Sequence, residues 1–216
     1  MKNFFVSILL FSAFFSSLLV AEQKLFAAAL KNNHEVEILS LEPSKDDAAF
    51  SRGKELFMES FADAYKEFTP EQLFLENKPS YLTKFLAAAF EDEENDFNNK
   101  KEGALFVVAR DVKSKEIIGF AAYDVTATSS ATTVYIRQLA VDPTYKQQGV
   151  GTLLVLNTVR AIAQHQPCVV TVCTRKINEP AVNFYQNLKF QDASMEEVHP
   201  ELPAYKYCGF KLNLNG

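Results

Sequence analysis

The sequence predicts an α/β (α+β) protein with a mixed, mostly antiparallel β-sheet and helices on both faces. Two amphipathic helical patterns come early, and three neighbouring segments rich in β-branched and aromatic residues follow them. Helical and strand-like patterns then alternate to the end of the chain. The predicted order is therefore β-α-α-β-β-β-α-β-α-β, with antiparallel neighbours in the middle and a helical crossover after them.

The first half of the predicted domain consists of one strand and two helices. Residues 35–41 alternate between apolar and polar side chains like a strand, and Ser44 with Asp47 forms a helix-start box. Apolar residues then recur at helical spacing in two stretches, which we interpret as buried core faces. The first face comprises Phe50, Phe57, Phe61, Ala64 and Phe68, and the second comprises Tyr81, Leu82, Phe85, Leu86, Ala89 and Phe90.

Three consecutive strands are predicted over residues 104–110, 116–125 and 132–141. A polar turn separates the first two strands, so we expect antiparallel pairing. A helix then begins at Gly149, and residues 168–174 form the next strand. Because a helical crossover joins it to its predecessor, this strand is expected to run parallel to it.

The last predicted elements are a short helix and a strand. Asn178 caps the helix and Pro180 occupies its first turn, two positions at which these residue types favour a helix start. Residues 205–214 form the last strand, in which alternate side chains share one face. The buried face of the helix comprises Ala181, Phe184 and Leu188, and that of the strand comprises Cys208, Phe210, Leu212 and Leu214.

The first 21 residues are set apart from the predicted domain. Lys2 precedes an apolar run over residues 4–20 that is broken only by serines, and Ala21 ends the segment. This layout is typical of an export signal peptide. Leu19 stands where the cleavage site prefers a small residue, so a retained membrane anchor stays open as the alternative. We expect a signal peptide over residues 1–21 and one domain over residues 22–216.

The charge balance excludes one class of partner. The chain carries a net charge of −5, and removal of the first segment with Lys2 makes it −6. Nucleic acid is therefore not an expected partner, because phosphate binding needs a basic surface. We interpret the acidic run over residues 91–96 as a solvated helix end, and the alternative is attraction of a cationic substrate.

The cysteines and histidines predict no metal site. Cys168, Cys173 and Cys208 are odd in number and lack the spacing of a disulfide framework or a zinc site. Cys168 and Cys173 are five residues apart in one predicted strand, so they face opposite sides and cannot pair. His165 lies near Pro167 at a helix end, where the helix dipole stabilises an imidazolium.

The sequence KQQGVGTLLVLN, residues 146–157, is a candidate anion site. A helix that begins at Gly149 exposes unpaired backbone N–H groups and the positive end of its dipole. Gly149 and Gly151 have no Cβ, so a ligand can approach the backbone, and Lys146 brings a positive charge to the rim. Taken alone, the same pattern also fits a simple turn from strand to helix.

Two further segments extend this pattern into a family resemblance. The sequence IRQLAVDPTYKQQGVGTLLV, residues 136–155, resembles the acetyl-CoA motif of the GCN5-related N-acetyltransferase (GNAT) family. The sequence NEPAVNFYQNLKF, residues 178–190, is similar to the segment that follows that motif, and the EIIGFAAY hairpin strand also fits. The resemblance covers residues 35–214. It implies a GNAT-like fold and acetyl-CoA as co-substrate.

The resemblance also implies roles for individual residues. Lys146 stands where the family has Arg or Gln, and Asn178 matches a residue that contacts the cofactor. Tyr185 matches the tyrosine that protonates the leaving CoA thiolate after a neutral amine attacks the thioester carbonyl. The backbone of Leu139, Ala140 and Val141 is expected to bind pantetheine, and the pyrophosphate is expected on Gln147, Gln148, Gly149, Val150, Gly151 and Thr152.

The general base is not identified by the resemblance. Some relatives carry a glutamate at positions that correspond to Tyr135 or to Cys173 here, and neither residue is a carboxylate. A buried strand cysteine is commonly inert, so Cys173 is not expected to be a nucleophile. Deprotonation through water, by Asp124 or by Tyr123 stays open.

The primary functional hypothesis is an exported acetyl-CoA-dependent N-acetyltransferase that acts on a primary amine of a small molecule or protein. It would be periplasmic or secreted, and the alternatives are a membrane-anchored protein or delivery into the cytosol of another cell. A different functional class, a GNAT-like module that binds CoA or a partner with weak turnover, is favoured by the absent carboxylates. Transfer of a longer acyl chain is a third option. Acceptor-binding parts are expected within residues 44–99.

Overall fold

A computed structural model of the protein describes residues 23–30, 34–73, 80–163 and 166–214. The predicted signal peptide and His165 lie outside the described residues. Within them, eight strands form one sheet in the order β1-β2-β3-β4-β5-β6-β8-β7. The strands are β1 (Gln23–Ala29), β2 (Glu35–Ser40), β3 (Ala104–Asp111), β4 (Ile117–Ala127), β5 (Thr132–Val141), β6 (Cys168–Arg175), β7 (Gln191–Ala193) and β8 (Tyr207–Leu214).

Five helices connect the strands within these ranges. Helix α3 is one continuous helix made of an α-helical turn (Val150–Thr152), a π-helical segment (Leu153–Asn157) and a second α-helical segment (Thr158–Ala163). A short 3₁₀ turn (Pro143–Tyr145) precedes it. No helix in the described part of the chain is both long and apolar enough to span a membrane. The other helices are α1 (Asp47–Tyr65), α2 (Tyr81–Asn98), α4 (Glu179–Asn187) and α5 (Met195–Val198).

The sheet is mixed as predicted. Strands β5 and β6 are parallel, and every other described pair of neighbours is antiparallel. The parallel pair is joined by α3, which agrees with the rule that parallel neighbours need a crossover. The predicted fold class is therefore confirmed.

Both faces of the sheet are covered, as β4 illustrates. Phe120 and Ala122 pack into a core formed with α1 and α2, whereas Ala121 and Tyr123 pack into the core on the opposite face. The first core is rich in phenylalanine, and the rings of Phe50 and Phe97 stack at 4.0 Å. The two predicted phenylalanine-rich faces thus pack mainly against this core, and six of their eleven members also line a neighbouring cleft: Phe57, Phe61, Ala64, Phe85, Leu86 and Ala89.

The structure contains elements that the sequence patterns did not predict. Strand β1 precedes the predicted first strand and pairs with β2, although its sequence is rich in alanine and has low intrinsic strand propensity. Strand β7 and helix α5 are the other additions. The predicted helix-start box forms by half: the Ser44 N–H donates to Asp47 Oδ1, while the Ser44 hydroxyl donates to the Pro43 carbonyl.

A β-bulge in β5 prepares the candidate site. Ala122 of β4 pairs with Gln138, and Tyr123 pairs with Ile136, so Arg137 is the extra residue. The bulge brings two successive side chains to the α2 side: Gln138 Nε2 lies 3.5 Å from the Ala89 carbonyl of α2, and Arg137 pairs with acidic residues of the same helix. Bulges commonly redirect side chains beside functional sites.

The parallel pairing of β5 and β6 is short. It runs from Thr132 with Cys168 to Ile136 with Val172 and then stops, although both strands continue. Beyond this point residues 137–141 of β5 pair with β4 alone among the described strands. The two strands therefore diverge and leave a cleft with an open backbone edge.

Candidate active site

A cleft of about 1190 Å³ opens where β5 and β6 diverge. Its walls come from both strands, from the beginnings of α3 and α4, and from facing residues of α1 and α2. One part is lined by the loop before α3, and another by charged and aromatic residues of α2, β4 and β6. The cleft therefore has a glycine-lined part and a charged part.

The loop before α3 holds the backbone in two left-handed conformations. Gln147 has φ 62°, and Gly149, which caps α3, has φ 109°. The turn before them is fixed by Asp142, whose carboxylate accepts hydrogen bonds from the backbone and hydroxyl of Thr144. Gln148 Nε2 also donates to the Thr144 carbonyl. The first N–H groups of α3 have no helical partner, which suits an anion.

The two loop glycines differ in what a side chain would meet at their positions. A side chain at Gly149 would be strained by its positive φ, whereas a Cβ at Gly151 would lie 3.2 Å from the Phe184 ring. Both glycines line the cleft. The loop therefore presents bare backbone to a ligand, and this arrangement fits the diphosphate expected from the sequence.

Lys146 lies at the rim of this loop and is already paired. Its Nζ lies 2.8 Å from Oδ2 of Asp63 on α1, and each side chain is more than one third exposed. Hydrogen bonds from Lys146 and then Lys66 hold the pKa of Asp63 below its usual range. A phosphate at this loop would therefore compete with Asp63 for the lysine.

Tyr185 of α4 lies in an aromatic environment next to the cleft. It is 4% exposed, and its ring contacts those of Phe184, Phe190 and Phe210. Burial raises the pKa of the phenol, and the nearby Cys173 raises it further. Tyr185 therefore keeps its proton at neutral pH, the state that a proton donor requires.

Asn178 acts as a helix cap at the start of α4. Its side-chain oxygen accepts a hydrogen bond from the Ala181 N–H at 3.3 Å, and the residue is 8% exposed. Burial raises the pKa of the neighbouring Tyr65 to about 12, and Arg175 and a hydrogen bond with Asn178 oppose this shift. Asn178 thus lines the cleft as part of a packed cluster.

Tyr135 and Cys173 occupy the two positions that correspond to a glutamate in some members of the family that the sequence resembles. The Tyr135 hydroxyl and the Cys173 sulfur lie 3.1 Å apart across β5 and β6. Burial raises the pKa of both groups. The His199 ring lies 5.6 Å from that of Tyr135. Because the thiol is not activated, the geometry does not favour a cysteine nucleophile.

Of the two other candidate bases, Tyr123 lies in the core and Asp124 lies in the cleft. The Tyr123 hydroxyl donates to the Leu154 carbonyl in the π-helical segment of α3, and its side chain is fully buried. It therefore has a structural role. Asp124 pairs in register with Tyr135 and lines the cleft.

An acidic cluster lies in the cleft, in line with the alternative that residues 91–96 attract a cationic substrate. Glu93 and Asp96 of α2, with Asp124, surround Arg137 and Lys101. Arg137 Nη2 lies 3.4 Å from Glu93 Oε2, and Arg137 Nη1 lies 3.5 Å from Asp124 Oδ1. The interpretation of residues 91–96 as a solvated helix end is thus wrong for Glu93, which is 3% exposed.

The charges in this cluster are unbalanced. Three carboxylates face two cationic side chains, and burial raises the pKa of Glu93 while Arg137 opposes the shift. The spacing of Leu86, Phe90, Glu93 and Phe97 indicates in retrospect that Glu93 belongs to the buried face of α2. Within the cluster the acidic side chains outnumber the basic ones by one, and such a local surplus of negative charge attracts a cationic ligand.

Arg175 ends β6 in the same cleft. It is 7% exposed, and its Nη1 donates to the Leu73 carbonyl. Its guanidinium carbon lies 4.5 Å from the centre of the Phe85 ring, 5.6 Å from Tyr207 and 5.9 Å from Tyr65. No sequence pattern indicated a role for Arg175.

The match to a protein family decides the classification of the chain. A family model described as the acetyltransferase (GNAT) family matches residues 58–190, which is more than half of the chain. The chain belongs to the GNAT family. This match confirms the resemblance found in the sequence, and acetyl-CoA is accordingly the co-substrate of this GNAT protein.

Solved structures share the GNAT fold. The PaiA N-acetyltransferase from Thermoplasma acidophilum, in complex with coenzyme A, has a TM-score of 0.60 at 15% identity over 83% of this chain and 99% of its own. A GNAT acetyltransferase from Staphylococcus aureus Mu50 has a TM-score of 0.51 at 15% identity over 83% and 99%. An acetyltransferase from Thermus thermophilus has a TM-score of 0.51 at 12% identity over 83% and 97%. No curated protein sequence matches the chain.

Most predicted site residues of this GNAT protein line one cleft. The side chains of Ala140 and Val150 are buried in the two cores, so either residue would contact a ligand through its backbone. The side chain of Gln148 donates a hydrogen bond to the preceding turn. Within the described residues, no group of His, Cys, Asp and Glu has the arrangement of a metal site. The predicted residues that line the cleft are Leu139, Val141, Lys146, Gln147, Gly149, Gly151, Thr152, Asn178 and Tyr185.

Proposed function

We propose that the protein is an N-acetyltransferase that transfers the acetyl group of acetyl-CoA to a primary amine of a small molecule or protein by direct attack. The observation that carries this proposal is one continuous cleft. The cleft is lined by the anion loop before α3, by the open edge of β5 and by the buried phenol of Tyr185. These parts match the three regions of the co-substrate: diphosphate, pantetheine and thioester.

Each part of the cleft has a distinct task in this proposal. The backbone N–H groups of residues 147–152 hold the diphosphate, and Lys146 exchanges its bond with Asp63 for a phosphate oxygen. The open edge of β5 at Leu139 and Val141 holds the pantetheine amides, as an added strand would. Fixed N–H donors on this edge stabilise the negative charge that develops on the carbonyl oxygen.

Tyr185 supplies the proton for the leaving group. Bound acetyl-CoA supplies a thioester carbonyl that is open to attack by a neutral amine. Tyr185 donates its phenolic proton to the departing sulfur, and a positioned acid of this kind contributes about 10²- to 10⁴-fold in rate. Its raised pKa supports the proposal because the phenol stays protonated while it waits for the leaving group.

We assign removal of the amine proton to Asp124, acting through water. Asp124 pairs in register with Tyr135, its side chain is 40% exposed, and it lines the cleft. The neighbouring Tyr135 and Cys173 are poor bases, because their neutral forms are favoured by burial. Glu93 and Asp96 keep the local charge negative, which attracts a protonated amine before it is deprotonated.

A second candidate function is a CoA-binding module with weak turnover. The residues at positions 135 and 173 favour this reading. Tyr135 and Cys173 hydrogen-bond to each other, and neither side chain is a carboxylate that could act as the base. The two functions are separated by measuring CoA binding by calorimetry and thiol release from acetyl-CoA over a panel of amines. Micromolar CoA binding with amine-dependent thiol release supports the enzyme. Binding without release by any amine supports the module.

Two variants sharpen this experiment. Gly149→Glu places a side chain and a negative charge in the anion loop, so it should abolish CoA binding under either reading. Tyr185→Phe removes the proton donor but keeps the ring packing, so it should reduce thiol release and leave CoA binding intact. Loss of binding in Tyr185→Phe would contradict the assigned role.

We also propose that the protein is exported, because residues 1–21 have the layout of a signal peptide. Acetyl-CoA is a cytosolic metabolite, so an exported enzyme has to reach a compartment that contains it, such as the cytosol of another cell. Cell fractionation with mass spectrometry of the amino terminus tests this proposal. Mature protein that starts near Glu22 outside the producing cytosol supports export. A soluble cytosolic protein that retains residues 1–21 contradicts it.

A further inference from the structure

Arg175 is a buried cation without a carboxylate partner in the described part of the chain. It is 7% exposed and forms no ion pair with a described residue. Buried arginines are usually paired, because an isolated charge is costly to remove from water. One nitrogen, Nη1, donates to the Leu73 carbonyl, whereas Nε and Nη2 have no hydrogen bond to a described residue. The guanidinium therefore retains donors for a ligand in the cleft.

Three aromatic rings hold the Arg175 guanidinium. Phe85, Tyr207 and Tyr65 lie 4.5 to 5.9 Å from its central carbon, and they belong to α2, β8 and α1 respectively. Such rings orient the guanidinium plane and keep water away from its faces. A planar, oriented and partly desolvated fork of N–H groups matches the geometry of a carboxylate. The hydrogen bond to the Leu73 carbonyl uses one of the five N–H donors of Arg175, so the guanidinium can still bind a carboxylate.

Arg175 also lies close to the predicted reaction centre. It is two residues after Cys173 on β6, so both side chains lie on the same face of the strand about 7 Å apart along it. Cys173 bonds to Tyr135, which pairs in register with Asp124. A positive group therefore lies on one side of this pair and the acidic cluster on the other.

We propose that Arg175 binds the carboxylate of the acceptor, so that the preferred acceptor is a small molecule with both an amine and a carboxylate, such as an amino acid. The acidic cluster around Asp124 receives the amine, and Arg175 receives the carboxylate. This inference rests on the proposed acetyl transfer, because it names the acceptor of that reaction. Arg175 is then a specificity-determining residue.

The test compares matched acceptors that differ by the carboxylate alone: lysine with cadaverine, phenylalanine with phenethylamine, and histidine with histamine. Thiol release from acetyl-CoA gives kcat/KM for each. Because a hydrogen bond to a charged group contributes about 1.5–3 kcal/mol, at least one amino acid should exceed its amine by about ten- to a hundredfold. In Arg175→Gln this ratio should fall to about one, mainly through KM.

Two further variants separate recognition from folding. Arg175→Lys keeps the charge but loses the fork, so it should retain part of the preference. Arg110→Gln removes an arginine of β3 that bonds to Glu37, and it should leave the preference unchanged. Thermal unfolding and CoA calorimetry on all variants verify the fold and the anion loop. Loss of the preference in Arg175→Gln with CoA binding intact supports the inference.

The outcomes distinguish this inference from the proposed function. Equal rates for amino acids and plain amines in the wild type would overturn the Arg175 assignment and leave acetyl transfer standing. If no acceptor raises thiol release, acetyl transfer fails, and calorimetry of the same amino acids on the CoA-bound protein decides the role of Arg175. Binding that Arg175→Gln abolishes would support carboxylate recognition, and no binding would overturn it.

Discussion

The Tyr135 hydroxyl lies 3.1 Å from the Cys173 sulfur and joins β5 to β6 at the point where the two strands diverge. Both residues stand where some GNAT relatives carry a glutamate. The pair replaces a charged base by two neutral groups whose pKa values are raised by burial. In the proposed mechanism Asp124, on the opposite side of Tyr135, therefore removes the proton from the acceptor through water.

Cys173 should be slow to react. Burial raises its thiol pKa, so the thiolate fraction at neutral pH is below that of an ordinary cysteine. We expect alkylation by iodoacetamide at pH 7.5 to be at least about tenfold slower than for a model thiol, and to accelerate as pH rises. Peptide mass spectrometry after timed labelling measures this. An acetyl group on Cys173 after incubation with acetyl-CoA would contradict the proposed direct attack.

Tyr185→Phe should lower kcat by about 10²-fold or more with little change in CoA affinity, because the phenol is the proposed acid. The raised pKa gives the sign of the pH dependence. The donor form persists above the usual tyrosine range, so kcat should show no loss from Tyr185 between pH 8 and about 10. Stopped-flow thiol detection across this range measures it. An alkaline decline in this range that disappears in the phenylalanine variant would contradict the raised pKa, and an unchanged kcat in that variant would contradict the role of Tyr185 as the acid.

Gly149→Ala should destabilise the protein and weaken CoA binding together. The residue has φ 109°, where a Cβ is strained, and the cost is about 1 kcal/mol or more. The matched variant is Gly151→Ala, whose Cβ would lie 3.2 Å from Phe184 at an ordinary φ. We expect a smaller loss of stability there. Urea unfolding and calorimetry measure both, and equal effects in the two variants would contradict the strain at Gly149.

Asp63→Asn should strengthen CoA binding. The carboxylate of Asp63 holds Lys146 at 2.8 Å, so its removal leaves the lysine available to a phosphate. Exposed ion pairs of this kind contribute about 0.2–1 kcal/mol, which corresponds to roughly 1.4- to fivefold in affinity at low salt. Lys146→Ala should weaken binding, and the double variant should resemble Lys146→Ala. Calorimetry at two ionic strengths tests this, and stronger binding in the double variant would contradict the mechanism.

Asp111 should link stability to acid pH. Its carboxylate accepts hydrogen bonds from the backbone of Ser114 and Lys113, and its Oδ2 lies 3.0 Å from His34 Nδ1. These contacts, led by the Ser114 N–H, hold the pKa of Asp111 below its ordinary value of 3.8. The carboxylate therefore stabilises the fold above that value, and the stabilisation is lost as pH falls below it.

Asp111→Asn tests this linkage. The substitution should lower the free energy of unfolding at pH 7 by about 1–2 kcal/mol, since a carboxylate acceptor is replaced by a neutral one. The wild type should approach the variant as the pH falls from 5 to 3. Urea unfolding at pH 7, 5 and 3 measures both proteins. A difference that stays constant with pH would contradict the role of the charge.

Much of this fold follows from local patterns. The phenylalanine spacing of α1 and α2 and the β-branched segments of β3 to β5 predict their elements because burial and periodicity agree there. Strand β1 was missed because its stability comes from pairing with β2, which an alanine-rich sequence does not reveal. In the predicted Ser44–Asp47 box the Ser44 hydroxyl does not cap the helix. Ser44 adopts φ 68°, and its hydroxyl donates to the Pro43 carbonyl instead.

The site was predictable only where the backbone carries the chemistry. The loop at Gly149 follows from residue type, whereas the charged part of the cleft depends on side chains from distant elements. Glu93, Asp124 and Arg137 meet because a bulge turns β5 and α2 covers it. The role of Arg175 could not be predicted from a sequence pattern, because a single arginine at the end of a strand has no periodic signature.

The brief parallel contact between β5 and β6 has a further consequence. It joins two panels of the sheet along five residue pairs, from Thr132 with Cys168 to Ile136 with Val172. A ligand bound in the cleft between β5 and β6 contacts both panels and so links them. Ligand at a hundred times its dissociation constant adds about 2.7 kcal/mol to stability. Saturation should therefore slow amide exchange most strongly in β6 and β8, on the side of the seam that includes the chain's last strand.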